Sequence, residues 1–409
     1  MAKDYKDMVF GLDIGTAKIM VVAAEVVDGE LRLAGLGVAP THGLKRGVVV
    51  NIDATVASIQ QALKEAEMMA ACKITSVYTG ITGSHIRGQN STGMVIVRDN
   101  REVTPTDVAR VVETAKAINI PNDQRLLLVE PQEFIIDGHE VKEPIGMSGS
   151  RLEVRVHIVT GAQSAAENIV KCVRRCGLEV ERLMLNHSAS SCATLTEDER
   201  QLGVAVVDIG AGTTDVQIYT EGSVRHTATI PIAGDLITSD IAMALRTPTK
   251  DAEQIKVEFG VAKQLLADPS EQVEVPGLGD RAPRMLSRQA LAGVIEPRVE
   301  EIFSLVQQVI RDSGFEERLS SGIVLAGGSA VMPGMVELAE DIFLKPVRKG
   351  LPVYHGALYD MVANPRSATV MGLLEEARIA RGRGQKAARQ AGSVKTVLSR
   401  AKDWFLGNF

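Results

Sequence analysis

Two segments of this 409-residue chain share one pattern, and that repeat limits the folds open to it. Leu12–Val22 (LDIGTAKIMVV) and Val207–Ile218 (VDIGAGTTDVQI) each run from an apolar strand through Asp-Ile-Gly and a short turn into a second apolar strand. Apolar runs separated by Gly and small polar residues predict β-hairpins. A hairpin that recurs 195 residues later (208 − 13) predicts two half-chains with a common substructure. We expect them to face each other across a cleft, where ligand sites usually form.

The turns of both hairpins have the composition of a phosphate-binding loop. Glycines let a backbone approach a ligand closely, and successive N–H groups in such turns bind anions. Threonine hydroxyls can donate to phosphate oxygens, carboxylates can hold a hydrated Mg²⁺, and a lysine can contact a β- or γ-phosphate. An ordinary turn remains the alternative for either copy taken alone. The candidate residues are Gly15, Thr16 and Lys18, then Gly210, Gly212, Thr213 and Thr214, with Asp13 and Asp208 for the metal. Asp215 is expected to brace its loop.

A third glycine turn follows the late apolar strand GIVLAGG. Gly327 and Gly328 can lie flat against a purine or ribose, and a helix opened by Pro333 would add a favourable dipole. A simple turn between a strand and a helix is the alternative. The chain contains no GxxxxGK[ST] motif, and no GxGxxG follows the first strand, so neither a P-loop nor a Rossmann site is predicted.

Other polar residues carry weaker signals. Glu253 and Lys256 are spaced as a surface pair on a helix, but they could contact an adenosine from the side. Gly234 could bring its backbone near a nucleotide. Asn186 could orient a water molecule or be a loop residue. The seven histidines show no ligand spacing and are expected at the surface or with their hydrogen bonds satisfied, and the four cysteines predict free thiols and no zinc.

Charge divides the chain into an acidic body and a basic end. Residues 378–409 hold eight Lys/Arg and one Asp, a net charge of +7. Because the whole chain carries −6, residues 1–377 carry −13. This distribution argues against nucleic-acid binding and places anion binding at the C-terminus. No 18-residue apolar run and no secretory signal is present. The last residues have helical apolar spacing with basic neighbours, which predicts an interfacial amphipathic helix. Docking of that helix on the chain's own core is the alternative. The residues assigned to the membrane are Val397, Leu398, Arg400, Lys402, Trp404, Phe405 and Phe409.

Taken together, the paired hairpins and the glycine turn resemble the actin/Hsp70/sugar-kinase superfamily. Within it, LDIGTAKI, VYTGITGSHI, VVDIGAGTTDV, IPIAGDLITSDIAMALRTP, VLAGGSAVMPG and the amphipathic end are similar to the FtsA family of bacterial actin-like cell-division proteins. The resemblance covers nearly the whole chain. It implies an α/β, actin-like two-domain ATPase fold with a nucleotide cleft, in which a subdomain called 1C replaces the usual 1B.

The resemblance also implies boundaries and further site residues. Subdomain 1A would comprise 1–84, 165–197 and about 362–380, and 1C would be 85–164. Subdomain 2A would comprise 198–245 and 315–361, and 2B would be 246–314. A flexible basic linker at 381–393 and a membrane-targeting helix at 394–409 would follow. By resemblance, Ala17 and Ala211 join the phosphate loops, Gly234, Glu253 and Lys256 flank the nucleoside, and Gly327, Gly328, Ser329 and Met332 form the adenosine loop.

The implied activity is that of an adaptor rather than a fast enzyme. The family resemblance implies ATP and Mg²⁺ as cofactors, filaments of like subunits on the inner membrane at midcell, capture of the FtsZ C-terminal peptide, and recruitment of later division proteins through 1C. Arg298 and Glu301, beside Glu300, are the candidate FtsZ contacts. No residue is an evident base for hydrolysis, so slow or absent turnover is expected. The alternatives are an actin-like adaptor of pilus assembly, a small-molecule kinase or phosphohydrolase, and an Hsp70-like chaperone, for which too little chain follows the glycine turn.

Overall fold

The computed structural model describes residues 7–97, 102–279 and 281–382. The predicted linker and membrane helix lie almost wholly outside these residues, and helix α11, which ends at Gly382, includes the first two residues of the predicted linker. The helices in the described residues are α1 Ile52–Ala70, α2 Pro105–Ala115, α3 Gln163–Arg175, α4 Asn186–Thr194, α5 Glu197–Leu202, α6 Gly234–Leu245, α7 Thr249–Phe259, α8 Arg288–Asp312, α9 Met335–Phe343, α10 Tyr359–Val362 and α11 Ala368–Gly382.

The strands alternate with these helices along the chain. In the described residues they are β1 Met8–Ile14, β2 Lys18–Val27, β3 Glu30–Pro40, β4 Leu44–Lys45, β5 Val48–Val49, β6 Ser76–Ile81, β7 Arg87–Ile96, β8 Gln124–Ile136, β9 His139–Val141, β10 Arg151–Ala162, β11 Glu179–Leu185, β12 Val204–Ile209, β13 Thr214–Thr220, β14 Ser223–Ile230, β15 Gln272–Val275, β16 Arg284–Ser287, β17 Ile323–Ala326 and β18 Val347–Lys349.

Two five-stranded sheets of the same topology confirm the predicted duplication. The first sheet has the order β3-β2-β1-β6-β11 and the second the order β14-β13-β12-β17-β18. In each, the first three strands pair antiparallel and the next two join in parallel. The two repeated hairpins are therefore β1–β2 and β12–β13, and they occupy equivalent central places.

A separate four-stranded sheet lies between β6 and α3 in the chain. Its order is β7-β10-β8-β9, all antiparallel, and α2 covers one face. This unit, called the insert below, has its own apolar core, which includes Val108, Val111, Leu152 and Val154. It also contacts the edge of the second sheet, because Nε2 of His157 lies 3.0 Å from the Thr227 hydroxyl of β14.

Helices α4 and α11 pack against each other between the two large sheets. Gly372 allows this close approach, since a Cβ there would lie 1.7 Å from the Ala189 carbonyl oxygen. Successive side chains of a strand point to opposite faces of its sheet. In β12, Ala205 and Val207 pack into the core that the second sheet forms with α6, α8 and α9, while Val204 and Val206 face the α4–α11 layer. Thus each large sheet is covered on both faces, as expected for an α/β fold.

Three sequence-based expectations were wrong in detail. The helix after the glycine turn begins at Met335, not Pro333, because a 3₁₀ turn at Gly328–Val331 intervenes. Asn186 is the first residue of α4 and not a loop residue. His187 is completely buried, and neither ring nitrogen has a hydrogen-bond partner in the described part of the chain. Its burial by apolar helix packing lowers the pKa of His187 to about 3.

This buried imidazole should make stability fall in acid. In the unfolded chain the histidine binds a proton near pH 6.5, whereas in the folded protein its pKa is about 3. The unfolded state therefore gains protons first, and the free energy of unfolding decreases as the pH falls below 6.5. We expect His187→Leu to gain about 3 kcal/mol of unfolding free energy relative to the parent between pH 7.5 and 4.5. Urea unfolding of both proteins at each pH measures the difference, in which the carboxylates common to both cancel.

His139→Leu, at an exposed position, provides the control and should show no such gain. If the unfolding free energies of the parent and His187→Leu change with pH in the same way, the prediction is wrong.

Candidate functional site

The two hairpin turns meet at the interface between the large sheets. A Cβ at Gly212 would lie 2.7 Å from the Thr16 hydroxyl oxygen and 2.7 Å from Cα of Arg46, so the second loop fits against the first only as glycine. Within the first loop, the Gly15 N–H donates to the Lys18 carbonyl at 3.0 Å. Within the second, the Gly210 N–H donates to the Thr213 carbonyl at 2.9 Å. The structure therefore brings the repeated turns together, as the sequence predicted.

The third glycine turn converges on the same point. The Gly210 carbonyl accepts hydrogen bonds from the Gly234 N–H at 3.1 Å and from the Ser329 hydroxyl at 2.9 Å. Gly327 has a φ of +85°, and a Cβ there would lie 2.5 Å from Oδ1 of Asp208. At Gly328 the corresponding space is open. These contacts place an open glycine surface beside both loops, although the start of α9 is separated from it by the 3₁₀ turn.

The candidate nucleoside residues of α7 lie next to this turn. The Lys256 ammonium donates to the Gly234 carbonyl at 3.1 Å and to the Thr238 hydroxyl at 2.8 Å, and it pairs with Glu253 at 2.7 Å. Met332 is buried, with its methyl group beside Gly260 of the same region. The pair Glu253–Lys256 is therefore part of the wall of the site and not a free surface pair.

Strand alternation directs the two candidate metal ligands to one layer. Asp13 follows Val9 on the face of β1 that packs towards α11, and Asp208 follows Val206 on the corresponding face of β12. Burial is the main cause that raises the pKa of each carboxyl to about 6, and the Asp208 charge further raises the pKa of Asp13. Two buried carboxylates that repel each other are suited to a cation.

Asp13 and Asp208 fit a cation that takes the rest of its ligands from water and substrate. Across the described residues, no group of three or more His, Cys, Asp or Glu side chains could hold a metal by itself. Mg²⁺ is usually held by one or two carboxylates, with waters and substrate phosphates completing its shell. The donor set is therefore compatible with Mg²⁺ carried by a nucleotide.

Several candidate donors are already used inside the protein. The Thr214 hydroxyl donates to the Ile232 carbonyl at 2.7 Å, so its only O–H group is not directed at a ligand. The Thr213 hydroxyl lies 3.4 Å from Asp215. The Lys18 ammonium donates to the Arg366 carbonyl at 2.6 Å, and burial lowers the pKa of Lys18. By contrast the Thr16 hydroxyl oxygen accepts from the Gly47 N–H at 3.0 Å, and among the described residues no acceptor takes its proton. Ala17 is exposed at the turn, and the Ala211 carbonyl accepts from the Asp235 N–H at 2.8 Å.

Asp215 braces its loop and also joins the two halves. Its carboxylate accepts hydrogen bonds from the hydroxyls of Thr82 at 2.8 Å and Thr229 at 2.6 Å. Thr82 follows β6 of the first sheet, whereas Thr229 belongs to β14 of the second. Asp208 likewise accepts from the Ser190 hydroxyl of α4 at 2.5 Å. The Thr82–Asp215 hydrogen bond therefore joins the two sheets, and the Ser190–Asp208 bond joins the second sheet to α4.

Sequence reasoning missed one residue at the site and overstated another. Arg46 is exposed in the β4–β5 turn beside both loops, and the signal was the short Lys-Arg-Gly sequence at 45–47. Asn186 is buried with its Oδ1 directed at Gly80 of β6, where a Cβ would lie 2.0 Å away. That atom has no hydrogen-bond partner in the described part of the chain, so Asn186 packs against the sheet.

The helix predicted to contact FtsZ is α8, at the far side of the second sheet's core. Its Arg298 guanidinium pairs with Asp240 of α6 at 2.5 Å and with Glu301. Glu300 and Glu301 are exposed. The candidate residues are thus accessible, but Arg298 is neutralised by its neighbours.

Comparisons with known proteins agree with this architecture. A family described as "Cell division protein FtsA" matches residues 205–372, and "SHS2 domain inserted in FTSA" matches residues 83–160, which contain most of the insert. The chain is 52% identical to the cell division protein FtsA of Pseudomonas aeruginosa over 98% of each chain. It is 43% identical to that of Escherichia coli over 99% of each.

Solved structures show the same fold at low identity. The PilM–PilN type IV pilus biogenesis complex matches with a TM-score of 0.65 at 17% identity, covering 90% of this chain and 98% of that one. MreB5 of Spiroplasma citri bound to ADP matches with a TM-score of 0.56 at 15% identity, covering 94% and 99%. The predicted actin-like ATPase fold is confirmed. Identity over nearly the full length decides among the superfamily's members: this chain belongs to the FtsA family of cell division proteins.

Proposed function

We propose that the chain binds ATP with Mg²⁺ in the cleft, lies at the cytoplasmic face of the bacterial inner membrane at midcell, and anchors FtsZ filaments there. The observation that carries the nucleotide part is the convergence of three glycine turns, because the first turn meets the second at Gly212 and the third meets it at the Gly210 carbonyl. The backbone N–H groups of the two loops suit phosphates, and the open surface at the third glycine turn suits a nucleoside. Asp13 and Asp208 suit a hydrated cation. A fold neighbour bound to ADP supports the same assignment.

Turnover in this site is expected to be slow or absent. Asp13 and Asp208 have the metal role, and Asn186 packs against Gly80 instead of facing an attacking water. Without a residue that positions the water, the site retains ATP more readily than it cleaves it. Steady-state phosphate release below about 1 s⁻¹ would be consistent with this role.

Self-assembly and membrane attachment would act together. The edge strand β7 of the insert exposes Met94 and Ile96, and an apolar edge strand is suited to pairing with another chain. A short amphipathic helix binds a bilayer reversibly, so assembly strengthens attachment through avidity. No helix formed by the described residues has the length and apolar character needed to cross a membrane. We propose residues 394–409 as the anchor, and the insert as the surface for later division proteins.

The nucleotide assignment predicts a specific loss. Gly212→Val would place its side chain against Thr16 and Arg46 and separate the two loops. We expect ATP–Mg²⁺ affinity, measured by calorimetry, to fall at least about tenfold, or about 1.4 kcal/mol. Gly382→Val, at a position with open space, is the matched control and should bind as the parent does. Equal affinity in the two variants would refute the cleft assignment.

The membrane assignment predicts loss of sedimentation with vesicles of anionic lipid. Leu398→Asp places a charge in the apolar stripe, whereas Thr396→Asp adds the same charge on the opposite side of the helical pattern. We expect the first variant, like deletion of 394–409, to remain in the supernatant with its bound FtsZ, and the second to sediment with the vesicles. A truncated protein that still sediments would show that another surface binds the lipid.

The FtsZ assignment predicts a separable defect. Arg298→Ala frees Asp240 and Glu301 and makes the candidate surface of α8 more acidic. We expect it to lose FtsZ co-sedimentation while still binding vesicles. Arg311→Ala, which removes another ion-paired arginine from α8, is the control. Retention of FtsZ by the Arg298 variant would place the peptide elsewhere.

A further inference from the structure

Two hydroxyl groups buried between the large sheets hold one oxygen of the Asp208 carboxylate. The Ser190 hydroxyl of α4 donates to Asp208 Oδ2 at 2.5 Å. The Thr369 hydroxyl of α11 lies 3.4 Å from the same oxygen and 3.0 Å from the Ser190 oxygen. A hydroxyl has a single proton, and Ser190 uses its proton on Asp208. Thr369 is therefore the donor in both of its contacts, and the two hydroxyls act on Oδ2 together.

The close packing of α4 on α11 brings these hydroxyls together. Gly372 lies one helical turn after Thr369, and a Cβ there would lie 1.7 Å from the Ala189 carbonyl oxygen. Because Ala189 directly precedes Ser190, the approach that this glycine permits also brings Ser190 next to Thr369. Both side chains are buried, so they are not available to a ligand themselves.

The second oxygen of the carboxylate, Oδ1, is directed at the third glycine turn. Asp208 pairs in parallel with Ala326 of β17, and a Cβ at the following Gly327 would lie 2.5 Å from Oδ1. In the described part of the chain, the hydrogen bonds to this carboxylate all go to Oδ2, and no donor binds Oδ1. One oxygen of Asp208 is thus held inside the protein, while the other faces the candidate nucleotide site.

Asp13, the other candidate metal ligand, lacks this support. Its side chain is buried, but among the residues that the structure describes no donor makes a hydrogen bond to its carboxylate. The orientation of Asp13 is therefore not set by hydrogen bonds, whereas that of Asp208 is. This difference makes Asp208 the better prepared of the two to receive a cation.

We infer that Ser190 and Thr369 are positioning residues for the cation of the nucleotide, an inference that rests on the proposed function. By holding Oδ2, they present Oδ1 of Asp208 to the hydrated cation that accompanies the phosphates. Hydrogen bonds to a ligating carboxylate orient it, and loss of such a partner typically lowers metal affinity about 10- to 100-fold. The site then depends on the two helices between the sheets as well as on the glycine turns.

Calorimetry of ATP binding to the full chain, with Mg²⁺ and with EDTA, tests this inference. Ser190→Ala removes the direct donor, Thr369→Val replaces a hydroxyl by a methyl group, and Thr369→Ser keeps the hydroxyl. We expect Ser190→Ala to reduce the gain in affinity that Mg²⁺ gives by at least about tenfold, while affinity in EDTA stays as in the parent. Thr369→Val should reduce the gain by a smaller factor, and Thr369→Ser should restore it.

Ser191→Ala is the control within α4, because that hydroxyl is equally buried but donates to the His187 carbonyl at 2.8 Å. It should keep the Mg²⁺ dependence of the parent. Equal loss of affinity with Mg²⁺ and with EDTA in Ser190→Ala would show a purely structural role and overturn the inference, as would equal behaviour of Thr369→Val and Thr369→Ser. The Thr369 pair decides alone if Ser190→Ala does not fold.

The parent protein separates this inference from the proposed function. If the parent gains affinity from Mg²⁺ and the Ser190 and Thr369 variants gain as much, only the positioning role is refuted. If the parent binds no ATP, or binds it equally with Mg²⁺ and with EDTA, the proposed nucleotide or metal assignment fails and this inference fails with it.

Discussion

The buried carboxylates of the second hairpin govern how the two halves of this protein fit together. A carboxylate taken out of water is costly unless hydrogen bonds satisfy it. Asp215 obtains one of those bonds from the other sheet, through Thr82 after β6, and Asp208 obtains one from Ser190 of α4, the helix between the two sheets. Separation of the two sheets would therefore remove Thr82 from Asp215. The closed arrangement depends on a few hydroxyl groups at the places where nucleotide phosphates would bind.

The insert is connected to this arrangement through β14. Thr229 of that strand donates to Asp215, and Thr227, two residues earlier on the same face, contacts His157 of the insert. The insert also leaves the first sheet directly after Thr82, the other partner of Asp215. The turn around Asp215 is thus linked to the insert by two short paths that combine hydrogen bonds with backbone. If the insert binds partners as proposed, these paths connect that surface to the proposed nucleotide site.

The sequence predicted the features that depend on local pattern. The duplicated hairpins and the three glycine turns follow from strand periodicity and glycine placement, and the structure brings those turns together. The actin-like fold was implied by the family resemblance. The sequence pattern could not predict which of these side chains would form hydrogen bonds within the protein. Nothing in Thr-Thr-Asp distinguishes the Thr214 hydroxyl, which is bound to Ile232, from the Thr16 hydroxyl, which keeps its proton. Likewise Arg125 is 46 residues from Lys171 (171 − 125), so a charge count along the chain could not reveal that both side chains line one open surface groove.

The electrostatics of the cleft explain why closure and ligand binding belong together. Asp13 and Asp208 repel each other in a buried layer, and Lys18 is the nearby cation that most lowers the pKa of Asp13. Because the Lys18 ammonium is held by the Arg366 carbonyl and is itself buried, it only partly compensates the two charges. Burial is the main reason that the pKa of each carboxyl stays raised, at about 6, and the Asp208 charge adds to the rise for Asp13. A divalent cation delivered with phosphates would relieve the repulsion, so the proposed nucleotide would stabilise the arrangement in which the two loops meet.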